Sequence, residues 1–66
     1  MVGNELRKYR LNAFLTQRKL GELLGMHGRC AETTVQKWEY GKQLVPLRHF
    51  RKLHELIGIP YEKLVP

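Results

Sequence analysis

The 66 residues bound this chain to one small domain, which buries only about 60% of the surface its unfolded chain exposes and cannot wall in the deep pocket of an enzyme. Twelve Lys and Arg against six Asp and Glu leave a formal charge of +6, which suits a polyanionic partner: DNA, RNA or an anionic membrane surface. The single cysteine, Cys30, excludes an internal disulfide framework and fits a reducing, cytoplasmic setting, and the chain shows neither a run approaching the ~20 apolar residues of a membrane span nor a signal-peptide core.

Residues 1–3 read as a tail. Asn4, followed by Glu5 and Leu6, is a helix start, and the spacing predicts a first helix over about 4–13. Leu6, Tyr9, Arg10 and Ala13 share one face, which leaves Arg10 as a cation on an apolar side. Arg7 and Lys8 point outward, toward phosphates or simply into solvent. Phe14 and Leu15 close the connection and are expected to pack into the core. Thr16 then caps a second helix over about 17–24, its hydroxyl accepting from an otherwise orphan backbone N–H. Leu20, Leu23 and Leu24 recur at helical spacing and face inward. Gly21 sits mid-helix at a cost of about 1 kcal/mol relative to Ala; close approach of another helix is a physical reason to accept that cost. Gly25 ends the helix in the left-handed conformation.

Residues 26–30, Met-His-Gly-Arg-Cys, read as a loop in which Gly28 permits a bend and Arg29 is a mobile cation. A third helix starts near Cys30 or Ala31 and runs to about 40; Thr33 with Gln36 offers a rival start as a capping box. At about 100° per residue, Ala31, Val35, Trp38 and Glu39 fall on one side and Thr33, Gln36, Lys37 and Tyr40 on the other. The first side is apolar except for Glu39. The second carries hydrogen-bonding groups, one cation and no anion, which suits a nucleic-acid groove and also resembles an ordinary solvated helix face. Trp38 shares the side of Val35 and reads as core. Gly41 stops the helix, a loop follows to Pro46, and a fourth helix over about 47–57 turns Leu47, Phe50, Leu53 and Ile57 inward. Gly58 ends it, and Pro60 opens a last short helix flanked by the inward Ile59 and Leu64. The fold class is all-α: a compact bundle of four to five short helices with a long turn between the second and third.

No catalytic constellation is present: no paired acids at a pocket, no activated nucleophile, no phosphate loop. His27 and Cys30 have ligand-like spacing, but His49 and His54 diverge around a helix and do not complete a four-ligand zinc site. The expectation is therefore no enzyme, no metal, no cofactor and no small-molecule substrate.

Taken together, Leu6…Arg10, Leu15-Thr16-Gln17, Leu20-Gly21, Leu24-Gly25, Thr34-Val35, Trp38-Glu39-Tyr40-Gly41-Lys42, Pro46, Phe50, Leu53, Ile57-Gly58-Ile59 and Leu64 resemble the lambda-repressor-like helix-turn-helix family, the domain of phage repressors and many small bacterial regulators. The resemblance covers residues 4–65 and makes 1–66 one such domain, with residues 65–66 also a tail. It implies a third helix in the major groove of double-stranded DNA, with Glu32, Thr33, Gln36 and Lys37 as base-reading candidates. Gln36 is foremost, because an amide can pair with both N6 and N7 of adenine. It implies phosphate contacts from Gln17, Arg18, Lys19, Arg29, Tyr40, Lys42 and Gln43. It also implies an ion pair between Arg10 and Glu39, the two charges that periodicity leaves on apolar faces.

The chain departs from the family in two places. About four extra residues lie within 26–31, so either the turn loops out or the third helix is extended at its start. Phe14 stands where the family often has glycine; because Phe resists positive φ, Asn12 is expected to take the left-handed position. The resemblance implies a transcriptional regulator binding two-fold DNA sites as a homodimer, with Leu44, Val45, Tyr61, Leu64 and Val65 as either interface or core. The alternative is a protein-interaction adaptor, such as an antitoxin or a recombination accessory factor. Binding to structured RNA is a further rival, and membrane-surface binding lacks a helix with broad aromatic and basic faces.

Overall fold

The structure is a computed structural model that describes residues 2–65. Its elements are α1 (Val2–Asn12), α2 (Gln17–Leu23) and α3 (Gly28–Glu39), then a 3-10 turn (Leu47–His49) running into α4 (Phe50–Ile57), and a last 3-10 turn (Tyr61–Lys63). No strand occurs among the described residues, so the all-helical class stands. The core is one cluster of Leu6, Leu20, Val35, Trp38, Val45, Leu53, Ile57, Ile59 and Leu64. α2 packs chiefly on α3, and α3 packs on α1.

The helix ends explain how α1, α2 and α3 are set against one another. α2 begins where Thr16 Oγ1 accepts from the Lys19 N–H at 3.0 Å, and it ends with the Gly25 N–H on the Glu22 carbonyl and the Met26 N–H on the Gly21 carbonyl. This two-bond stop needs a left-handed residue at its centre, and Gly25 supplies it at φ +99°. α1 stops in the same way: the Phe14 N–H meets the Leu11 carbonyl and the Leu15 N–H meets the Arg10 carbonyl. Here the left-handed residue is Phe14 itself, at φ +60°. Asn12 stays helical, and the Phe14 ring is 94% exposed rather than in the core. The hydrogen-bond pattern of the stop, not the preference of the side chain, decides which residue turns left-handed.

Three further expectations change. α1 starts before Asn4, which is an exposed helical residue and not a cap; Gly3 is buried, because a Cβ there would strike the backbone carbonyl of Glu39. The tail therefore does not include residues 2 and 3; residues 1 and 66 lie outside the described residues. Leu23 is partly exposed, and only Leu20 and Leu24 of the α2 leucines pack inward. Leu47 is 79% exposed, because residues 47–49 wind as a 3-10 turn and so leave the register that would aim Leu47 with Phe50 and Leu53.

Candidate nucleic-acid interface

α3 buries Ala31, Val35, Trp38 and Glu39. Lys37 and Tyr40 are exposed on its other side, and Thr33, Thr34 and Gln36 are half-buried. The helix starts at Gly28, three residues before Ala31, so the connection from α2 is residues 24–27. Of the two outcomes left open by the extra residues, the structure takes helical extension, and the long loop over 26–30 does not form. Thr33 lies in the middle of the helix and caps nothing. Residues 28–31 hold neither proline nor a β-branched side chain, and Ala31 is pinned from behind. A Cβ built on Gly21 would lie 2.5 Å from the Ala31 carbonyl oxygen and 2.6 Å from its Cβ. That close approach is what the mid-helix glycine of α2 allows.

The far end of α3 is held by charge. Arg10 Nε donates to Glu39 Oε2 at 2.6 Å and Arg10 Nη2 to Glu39 Oε1 at 3.2 Å. Arg10 Nη1 also donates to the Leu15 carbonyl at 2.8 Å. Both partners are buried, and no buried side-chain nitrogen or oxygen among the described residues is left without a partner. Gln17 turns inward to join them, its Nε2 donating to Glu39 Oε1 at 3.1 Å. Gln17 therefore spends one amide proton on the fold, a role that its place in the first turn of α2 did not disclose.

The structure separates the other candidates. Arg18 on α2 and Glu32 on α3 face each other at 3.8 Å, both half exposed, so a cation expected on phosphate and a carboxylate expected on a base meet side by side. Lys19, Arg29, Lys42 and Gln43 are exposed. Asn4, Arg7, Arg10, Gln17, Glu39 and Tyr40 line an open cleft of about 350 Å3. Asn4 was read only as a cap, and Arg7 as an outward cation facing phosphates or solvent. Arg7 stands three residues before Arg10, on the same side of α1, and that spacing was the available signal; Asn4, a third of a turn further round, had none.

His49 and His54 pack against neighbours, His27 is exposed, and no group of three His, Cys, Asp or Glu that could hold a metal occurs among the described residues. His54 Nδ1 lies 2.9 Å from the Ile59 carbonyl, and its ring lies 4.9 Å from that of Tyr61. His49 leans on Trp38 at 5.5 Å. Partial burial, and then the neighbouring Arg48 charge, hold His49 below the usual histidine pKa. Of the residues read as interface or core, Val45 and Leu64 are core, whereas Leu44, Tyr61 and Val65 are exposed.

Two short helices joined by a four-residue turn, the second anchored along one side and polar along the other, define a helix-turn-helix DNA-binding domain. A helix-turn-helix family model matches residues 6–64. The chain belongs to this lambda-repressor-like helix-turn-helix family, a class of double-stranded-DNA-binding domains of the transcription-regulator type that is typically not enzymatic. No curated protein and no solved structure matches the chain. None of the described helices is long and apolar enough to cross a membrane.

Proposed function

We propose that this chain is a sequence-specific transcriptional repressor that binds two-fold DNA sites as a homodimer in the cytoplasm, residues 1–66 acting as one DNA-binding domain. The observation that carries this reading is the asymmetry of α3. Its anchoring side is buried from Ala31 to Glu39, and its other side offers Thr33, Gln36, Lys37 and Tyr40 without an anion. In the major groove, Gln36 pairs with adenine, Thr33 meets an adjacent base edge and Lys37 reaches a base or a phosphate. Arg18 and Glu32, 3.8 Å apart and both half exposed, offset part of each other's charge at this edge of α3. Lys19, Lys42, Gln43 and Tyr40 contact phosphates on either flank. A phosphate also sits over the cleft, where Arg7 and the second amide proton of Gln17 are in reach. These contacts set register and salt-dependent affinity, while α3 sets sequence choice. The exposed Leu44, Tyr61 and Val65 are the dimer contacts in this reading.

Selection from a randomised duplex library, followed by binding at two salt concentrations, tests it. The expected result is an enriched two-fold motif whose affinity falls about tenfold or more in Gln36→Ala. Salt-sensitive binding without a motif would defeat sequence specificity. No binding at low salt would leave the adaptor reading, in which the same +6 surface meets an acidic protein.

A further inference from the structure

We infer that the added first turn of α3 lengthens the DNA-reading surface and that Arg29 is a specificity-determining residue, reading a base edge rather than a phosphate. This inference rests on the DNA-binding reading above. A cation in a mobile loop is suited to phosphate, which tolerates imprecise placement; a cation on a rigid helix is held in register with the side chains around it. Arg29 belongs to the second kind, because α3 begins at Gly28.

At about 100° per residue, Arg29, Thr33, Gln36 and Tyr40 (i, i+4, i+7, i+11) form one stripe, with Cys30 and Lys37 beside it. The Arg29 stripe lies opposite the buried Ala31, Val35 and Trp38, and Cys30 and Lys37 flank it. The turn is fixed in place, because Gly21 meets Ala31 immediately behind it. Arg29 is exposed and makes no ion pair with an acidic side chain among the described residues, whereas the nearby Arg18 is engaged by Glu32. Residues 28–31 add about 6 Å of helix at 1.5 Å per residue, nearly two base-pair steps of about 3.4 Å. The guanidinium fork fits O6 and N7 of guanine. The DNA element recognised is therefore longer by one or two base pairs, with a guanine at the end met by the start of α3.

The test compares wild type with Arg29→Ala in duplex selection and in salt titration, after circular dichroism shows that the variant is folded. The expected result is that one or two terminal motif positions lose their preference and affinity for the wild-type motif falls about tenfold. The positions dependent on Gln36 stay intact, and the salt slope is unchanged. Uniform weakening with a salt slope lower by about one would mark a phosphate contact and overturn the proposal. An unaltered motif would overturn it too. A wild type that enriches no motif would instead remove the DNA-reading premise. Cys30 supplies a second readout: it is exposed in the same turn, so bound duplex is expected to slow its alkylation by iodoacetamide at least tenfold. An unchanged alkylation rate in the complex would show that the turn stands clear of DNA and would overturn the proposal.

Discussion

The two ends of α3 carry the same pair of side chains under opposite conditions. At its C-terminal end Glu39 meets Arg10 at 2.6 Å, both buried, with Gln17 and the Leu15 carbonyl completing the set. Near its start Glu32 meets Arg18 at 3.8 Å, both half exposed. Coulomb attraction between exposed groups is weak and screened, whereas a buried charge that loses its partner keeps its full desolvation penalty. The helix is thus locked where it meets α1. At its other end packing against Gly21 holds it, and its ionic contact is worth little.

The sharpest way to break this contrast is Glu39→Ala, which leaves Arg10 buried without its carboxylate; we expect a loss of about 3–5 kcal/mol in denaturant unfolding. Gly21→Ala tests the packing that holds the other end. The new Cβ must push Ala31 away, and we expect a loss of about 1–3 kcal/mol, together with weaker DNA binding because the start of α3 moves. Phe14→Gly runs the other way. It removes an exposed ring and a left-handed non-glycine residue from the turn that holds Arg10, and a gain of about 1 kcal/mol is expected in the same assay. Arg18→Ala is expected to change stability by less than about 1 kcal/mol; a change as large as that from Glu39→Ala would erase the distinction between the two pairs.

The last test is a pH titration at the locked end. The pKa of His49 is lowered in the folded state, so the unfolded chain binds more protons, and this contribution to stability is present above pH 6.5 and is lost as pH falls below it. The melting temperature should therefore decline on acidification from pH 7, less steeply in His49→Gln. Equal slopes for the two proteins would remove His49 as the cause.

Helix number and type were legible in the residues because Leu20 with Leu24, Val35 with Trp38 and Leu53 with Ile57 stand at helical spacing and Gly25, Gly41 and Gly58 mark the stops. Gly21 was legible as a close approach because a mid-helix glycine otherwise only costs stability. Periodicity left Arg10 and Glu39 each unexplained, and family resemblance brought them together. Two features were hidden. The helix over 28–30 has weak local preference and forms because Ala31 is seated on Gly21, a contact with no periodic trace. Phe14 turned left-handed because the stop of α1 is set by carbonyls that no side-chain pattern reports. At the candidate interface, residue types were readable, but the pairing of Arg18 with Glu32 and the inward turn of Gln17 depend on distances between helices.

Glu39 also bears on the order in which the chain folds. Its carboxylate is reached by Arg10 from 29 residues away and by Gln17 from 22, and its backbone abuts Gly3. The pairing of α2 with α3 spans far less chain, and shorter loops close at lower entropic cost. We expect α2 and α3 to associate before the transition state and α1 to dock after it. Glu39→Ala should then mainly quicken unfolding, while Gly21→Ala should mainly slow refolding. Chevron plots would decide, and a slowed refolding arm in Glu39→Ala would place the docking of α1 early instead. If the order holds, the contact that most secures the native state plays little part in reaching it, and the lifetime of the folded domain can be tuned at residue 39 with little change in how fast it forms.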